Sequence, residues 1–198
     1  MSKLVIATNN RGKLREFEAL LAGLGAELLI PSDLGHPLDV AETGATYAQN
    51  ARLKAAACAR ATGLLSMGDD SGLEVDVLEG RPGLHSARYS GAGASDADRR
   101  AKLMNELRGT PSPRSARFRC ALAVARPEGR VEVFEGTCQG EVILEERGTN
   151  GFGYDPLFFM PQHGRTLAEL PDEMKNRLSH RARAVQAALP YLREVLGK

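Results

Sequence analysis

Short apolar stretches alternate with helix-patterned segments from the start of the chain, and this alternation restricts the fold more than any other feature of the sequence. Residues 4–8 form an apolar run of strand length, and after a short turn apolar residues recur at helical spacing over 14–24. A second short strand is predicted at 28–30. An alanine-rich helix is predicted over 43–62, because Gly63 favours a helix end there. Strands and helices in this order predict an α/β fold.

The middle of the chain has a different pattern. Large apolar residues or cysteine occupy every second position from Phe118 to Val124, and a turn at 127–129 leads to strands predicted at 131–135 and 141–145. This alternation predicts an antiparallel meander, so the α/β fold should contain a mixed β-sheet with flanking helices. The remaining predicted elements are strands at 64–67, 73–77 and 157–159 and helices at 95–107 and 179–196.

Length and charge exclude several classes of function. A chain of 198 residues is expected to form a single domain of one or two lobes. The chain has 26 Lys and Arg and 25 Asp and Glu, a net charge of +1, so no net electrostatic field attracts nucleic acid or an anionic membrane. Cys58, Cys120 and Cys138 are too widely spaced for a zinc site, and no apolar run approaches the length of a membrane span. We therefore expect a cytoplasmic protein with reduced thiols, without a targeting segment and without a nucleic-acid or membrane partner.

A polar block stands at the first predicted strand-to-helix junction. Its residues are Thr8, Asn9, Asn10, Arg11, Gly12 and Lys13. A helix start offers unpaired N–H groups and partial positive charge, which favour phosphate, although the block lacks the second Gly and the Lys-Ser/Thr pair of a Walker A loop. The alternative is an ordinary turn with Asn10 as the helix cap and Lys13 in solvent.

Two adjacent carboxylates, Asp69 and Asp70, lie between two predicted strands. Neighbouring side chains there point in different directions, so one carboxylate is available for a hard cation such as Mg²⁺. An Asp-rich turn is the alternative. Glu42 precedes the alanine-rich helix. It is interpreted either as a second carboxylate for the same metal or as a negative charge that stabilises the start of the helix. Asn50 and Lys54 share one face of that helix, and Lys54 points at phosphate or at solvent.

Two further motifs suit a nucleotide base. Phe152 lies between two glycines within 149–156, so it is available for stacking on a planar ligand; the alternative is a glycine-rich hairpin. Lys175 and His180 would diverge on one continuous helix and converge only if a new helix begins between them. Arg181 offers a donor fork for a keto oxygen, or belongs to a basic, solvated helix start.

Taken in this order, the motifs resemble the family of noncanonical purine nucleoside triphosphate pyrophosphatases, the inosine and xanthosine triphosphate "house-cleaning" enzymes. The segments that carry the resemblance are TNNRGK, ETGATYAQNARLKA, DDSGLEVDVLEGRPGLHSARYSG, GTNGFGYDPLF and LSHR. It implies an elongated mixed α/β fold with two lobes around a central cleft, over residues 1–198. It also implies a homodimer and a Mg²⁺-dependent cleavage between the α and β phosphates of ITP, dITP and XTP.

The resemblance also implies residue roles. Asp70 becomes the proton acceptor and, with Glu42, a Mg²⁺ ligand, while Ser71 contacts the substrate. The remaining substrate-binding residues are Thr8, Asn9, Asn10, Arg11, Gly12, Lys13, Lys54, Phe152, Gly153, Tyr154, Asp155, Lys175, His180 and Arg181. Three alternatives stay open at this point: a pyrimidine triphosphate hydrolase, a nucleotide sensor without chemistry, and a poorly supported nucleic-acid-binding module.

Overall fold

Seven strands form one sheet in the computed structural model, which describes residues 2–37 and 39–197. The spatial order of the strands is β2-β1-β3-β4-β5-β6-β7. The strands are β1 (Lys3–Ile6), β2 (Glu27–Leu29), β3 (Ser66–Val75), β4 (Ser115–Ala125), β5 (Val131–Val142), β6 (Phe158–Met160) and β7 (Arg165–Thr166). β1 pairs in parallel with β2 and β3, whereas β6 pairs antiparallel with β5 and β7. The predicted mixed sheet is therefore confirmed.

Five helices flank the sheet in the described part of the chain: α1 (Arg11–Leu21), α2 (Tyr47–Thr62), α3 (Asp96–Glu106), α4 (Asp172–Leu178) and α5 (His180–Leu196). Local sequence explains several of their ends. The Asn10 side chain accepts hydrogen bonds from the N–H groups of Gly12 and Lys13 and so caps α1. Ser95 and Asp98 form the predicted capping box of α3. No helix within the described ranges combines the length and the apolar character needed to cross a bilayer.

The chain divides into two compact units. The first lies within 1–70, 120–136 and 180–198, and the second within 71–119 and 137–179. Each has its own apolar core. In the first unit, Phe17 of α1 and Met67 of β3 pack with apolar residues of β1, β4 and α5. In the second, Leu103 of α3 packs with apolar residues of β3, β4, β6 and their connections.

The predicted turn around Asp69 and Asp70 is wrong. The two strands predicted at 64–67 and 73–77 are one continuous strand, β3, and both aspartates lie inside it, 2% and 6% exposed. Tertiary contacts explain the difference, because lysine and arginine side chains from other segments neutralise these carboxylates and remove the need for solvent. β5 likewise replaces the two strands predicted at 131–135 and 141–145.

The predicted start of the alanine-rich helix is also wrong, since α2 begins at Tyr47 and not at residue 43. Thr46 caps it by accepting a hydrogen bond from the N–H of Gln49 (3.2 Å). The side chains of Gln49 and Asn50 accept hydrogen bonds from Ala45 N (2.7 Å) and Gly44 N (2.8 Å). These bonds give the backbone N–H groups of Gly44 and Ala45 side-chain acceptors ahead of the helix. Gly44 also has a low helix propensity, so the helix does not extend back to residue 43.

Candidate active site

β3 presents its two aspartates to different helices. Successive side chains of a strand point to opposite faces of the sheet, so Asp69 and Asp70 have separate surroundings. Asp70 Oδ2 accepts a hydrogen bond from Asn50 Nδ2 of α2 at 2.9 Å. Asp69 Oδ2 contacts Lys13 Nζ of α1 at 2.9 Å and the guanidinium of Arg181 of α5 at 3.1 Å. One strand therefore holds two carboxylates in different environments.

Glu42, Lys54 and Asp70 form a cluster that we call the acid–lysine cluster. Lys54 Nζ lies 2.6 Å from Glu42 Oε1 and 3.8 Å from Asp70 Oδ1. Gly68 makes this approach possible, because a Cβ there would lie 2.8 Å from the backbone nitrogen of Ala55 in α2. The structure thus brings together the two carboxylates that the sequence analysis placed around one cation.

The acid–lysine cluster changes the proton affinity of its members. Burial raises the pKa of Asp70, and the neighbouring Lys54 and Asn50 only partly offset this effect. Burial opposes the charge on Lys54, but attraction to Asp69, Asp70 and Glu42 outweighs it and raises the pKa of Lys54. Asp70 is therefore a better proton acceptor than an ordinary exposed aspartate, beside a lysine that stays charged.

Asp69 belongs to a second, more deeply buried group, the buried ion network of Lys13, Glu16, Asp69 and Arg181. Arg181 is 1% exposed, and its guanidinium bonds the carboxylates of Glu16 and Asp69. Burial alone would raise the pKa of Asp69, but the charges of Lys13 and Arg181 hold it far below its usual range. The alternative interpretation of Lys13 and Arg181 as solvated surface cations is therefore wrong.

The glycine-rich segment around Phe152 lies in the second unit and is tied down by Asp155. Asp155 Oδ2 accepts a hydrogen bond from Phe152 N at 2.9 Å and pairs with the buried Lys175 Nζ at 2.6 Å. Lys175 Nζ also lies 5.1 Å from the centroid of the Phe152 ring. Tyr154 is buried, and its hydroxyl donates a hydrogen bond to Ser86 O at 3.0 Å.

The other predicted site residues lie as follows. Thr8 to Lys13 occupy the β1–α1 junction, where the Thr8 hydroxyl accepts a hydrogen bond from Asn10 N at 3.1 Å. Ser71 follows Asp70 on β3, and His180 begins α5 after α4 ends at Leu178. A new helix therefore begins between Lys175 and His180, which is the condition that the sequence analysis set for the two side chains to converge.

Sequence analysis missed several residues that organise these groups. Glu16 stands three positions after Lys13 on α1, so helical spacing alone would have placed it on the same face. Asp96 and Arg100 of α3 contact Gly153, and no sequence pattern connects these distant segments.

Fold and site define the class of protein: a mixed α/β protein whose buried central strand carries carboxylates paired with lysine and arginine. Comparison with known proteins agrees with this class. The Ham1 family model matches residues 4–191, and the chain belongs to the Ham1 family.

Relatives support the assignment over the full length. A protein of Geobacillus kaustophilus named dITP/XTP pyrophosphatase is 50% identical over 198 residues, covering 100% of this chain and 97% of its own. One of the same name from Geobacter sulfurreducens is 49% identical over 198 residues, covering 100% and 98%. The solved structure of a HAM1 protein from Coxiella burnetii is similar at a TM-score of 0.88, with 40% identity over 98% of this chain and 100% of that one.

Proposed function

We propose that this protein hydrolyses noncanonical purine nucleoside triphosphates, namely ITP, dITP and XTP, to the monophosphate and pyrophosphate. Relatives at 50% and 49% identity over 198 residues carry the name of this activity. The observation that carries the chemistry is the meeting of Glu42 and Asp70 at Lys54. Phosphoanhydride cleavage needs a positioned water and compensation of negative charge, and this cluster contains groups for both.

The carboxylate of Asp70 accepts the proton of the attacking water. Its hydrogen bond from Asn50 suits this role, because a general base must be held against the proton that it takes. Lys54 holds positive charge beside it, and together with Lys13 it stabilises the pyrophosphate leaving group. The resemblance adds phosphate contacts from Thr8 to Gly12 and a substrate contact from Ser71.

The residues of the acid–lysine cluster fit Mg²⁺. Glu42 and Asp70 supply carboxylate oxygens, which a hard cation prefers, and both reach one ammonium nitrogen. In the described residues no group of three or more metal-binding side chains occurs, so two carboxylates are what the protein itself offers. Mg²⁺ typically takes one or two carboxylates and completes its shell with water and phosphate. When bound, it would neutralise phosphate charge and increase the acidity of a bound water.

Removal of divalent cations tests this assignment. With excess EDTA, we expect pyrophosphate release from ITP to fall below detection, and added Mg²⁺ should restore it fully. Far-UV circular dichroism with and without EDTA should be the same, which shows that the loss of activity is not caused by unfolding. Undiminished pyrophosphate release in EDTA would exclude the metal role of Glu42 and Asp70, and no release under any condition would favour a nucleotide sensor.

For recognition of the base, the resemblance supplies two sets of residues: the glycine-rich segment around Phe152 with Lys175, which lies in the second unit, and His180 and Arg181 at the start of α5, which lie in the first. Phe152 stacks on the purine, and Gly153, Tyr154, Asp155 and Lys175 shape its surroundings. The resemblance offers Arg181 or a backbone N–H near His180 as the donor to the keto oxygen at position 6. The backbone N–H fits better, because the Arg181 guanidinium is 1% exposed and already bonded to Glu16 and Asp69. Adenine carries an amino group there, so ATP would leave this donor unpaired at a cost of about 1–3 kcal/mol.

Substrate preference follows from this hydrogen bond. We expect kcat/KM for ITP, dITP and XTP to exceed that for ATP by at least about tenfold, because 1.4 kcal/mol corresponds to a factor of ten. Steady-state kinetics with product identification, on a panel that includes GTP and dTTP, measures it. Comparable kcat/KM for ATP and ITP would contradict the recognition model, and a preference for dTTP would favour the pyrimidine alternative.

We further propose that the protein acts as a cytoplasmic homodimer on free nucleotides. The resemblance carries the homodimer. Cys58, Cys120 and Cys138 are buried and none of them is joined in a disulfide, which suits a reducing compartment. The near-neutral net charge of +1 favours small polyphosphates held by local clusters over nucleic acid.

A further inference from the structure

Both backbone hydrogen-bonding groups of Gly153, its N–H and its C=O, are held by side chains of α3. Asp96 Oδ2 accepts a hydrogen bond from Gly153 N at 2.7 Å, and Arg100 donates one to Gly153 O at 3.0 Å. Gly153 has a φ of +63°, a left-handed conformation that favours glycine. We call this arrangement the Gly153 clamp.

The Gly153 clamp is itself braced. Asp96 pairs with Arg99, whose guanidinium also donates hydrogen bonds to Ala87 O at 2.6 Å and Ala94 O at 2.9 Å. Arg100 pairs with Glu146 at 3.0 Å. Side chains held on two sides keep their own geometry, so the clamp can hold the glycine peptide in one place.

Phe152 lies between two anchored points. On one side, its own N–H donates to Asp155, which the buried Lys175 holds. On the other side, Asp96 and Arg100 hold the N–H and the C=O of the next residue, Gly153. Because the backbone fixes the Cα–Cβ direction from which the ring rotamers start, both anchors together restrict where the ring can stand.

From this geometry we infer that Asp96 and Arg100 are positioning residues for purine recognition, acting through the placement of Phe152. This inference rests on the proposed function, in which Phe152 stacks on the base. Both residues lie outside the motifs that carry the family resemblance, and their side chains bond Gly153 and the residues that brace the clamp. They therefore affect binding of the base and leave the chemical step unchanged.

The test is the steady-state kinetics of ITP hydrolysis by the full-length protein. Asp96→Ala should raise KM for ITP about five- to tenfold, because Gly153 N loses its acceptor and the placement of Phe152 loosens, with kcat changed less than about twofold. Asp96→Asn keeps an oxygen acceptor for Gly153 N and should recover most of the increase. Arg100→Gln should also raise KM for ITP, and it provides a second test of the clamp if Asp96→Ala does not fold.

Asp98→Ala is the matched control. Asp98 stands two residues from Asp96 on the same helix and completes its capping box with Ser95, so its loss weakens α3 without touching Gly153. KM for ITP should then stay within about twofold of the wild-type value. An equal increase in Asp98→Ala would show that helix stability, and not the clamp, matters, and would overturn the inference.

A double-mutant cycle with Phe152→Ala separates the clamp from other routes. If Asp96 acts through Phe152, adding Asp96→Ala to Phe152→Ala should change KM by less than about twofold. Full additivity, or an unchanged KM in Asp96→Ala alone, would overturn the inference. Failure of the proposed function is distinguishable, because the wild-type protein itself would then not hydrolyse ITP.

Discussion

Asp70→Asn is expected to lower kcat for ITP by about 10³-fold, within the range of about 10²–10⁴ for loss of a general base. The amide cannot accept a proton, but its oxygen can still accept the hydrogen bond that Asn50 Nδ2 donates at 2.9 Å in the wild-type protein. Because burial disfavours the charged form of Asp70, the neutral amide should not destabilise the fold. Initial rates of pyrophosphate release at saturating Mg²⁺ and ITP measure the effect.

Two comparisons make the Asp70 result specific. Circular dichroism, the urea midpoint and ITP binding by calorimetry should be close to wild type in Asp70→Asn. Asp76→Asn makes the same chemical change just beyond β3, where the side chain is 53% exposed and pairs with Arg117, and should retain wild-type kcat. Full activity of Asp70→Asn would remove Asp70 from the mechanism.

The second large effect concerns stability. Asp69→Asn should lower the free energy of unfolding by about 3–5 kcal/mol, the cost of leaving buried charges without their partner. Asp69 is 2% exposed, and its carboxylate is the counter-ion of both Lys13 and Arg181. Urea unfolding followed by circular dichroism at pH 7 provides the measurement. A loss below about 1 kcal/mol would contradict the view that this network stabilises the first unit.

Acidity and a surface control sharpen the Asp69 prediction. Since the folded pKa of Asp69 is lowered, its stabilising effect is complete above its unfolded pKa of about 3.9 and declines as the pH falls towards the folded value. The difference in free energy of unfolding between wild type and Asp69→Asn should therefore be constant from pH 5 to pH 7 and shrink below about pH 4.

Glu132→Gln is a surface control for Asp69→Asn. It breaks the pair of Glu132, 42% exposed, with Arg130, 62% exposed, and should lower the free energy of unfolding by less than about 1 kcal/mol.

Features that depend on neighbouring residues were predicted well. The apolar run before TNNRGK predicted β1, and the capping box of Ser95 and Asp98 predicted the start of α3. The alternating pattern predicted a strand at 118–124, although β4 is longer. The four-residue spacing of Asn50 and Lys54 placed both on one face of α2, where both contact Asp70.

Features that depend on distant partners were predicted poorly. The Asp-rich segment has turn composition, and only its ion pairs with Lys13, Lys54 and Arg181 explain why it forms part of a buried strand. The start of α2 was misplaced because the side chains of Gln49 and Asn50 bond backbone groups ahead of the helix. Such side chains can bond to solvent or to a nearby backbone N–H group, and amino-acid composition does not show which of these bonds forms.

By itself the sequence determined the mixed α/β class, the opening strand and helix and the capped start of α3, because periodicity and caps are local properties. It also identified Glu42 and Asp70 as candidate carboxylates. Only the tertiary structure decided which charges are buried together. Arg181 meets Asp69 across 112 residues, and Gly153 meets Asp96 across 57. Burial makes such pairs strong and unpaired charges costly, so the environment of each ionisable group follows from packing that no short stretch of sequence encodes.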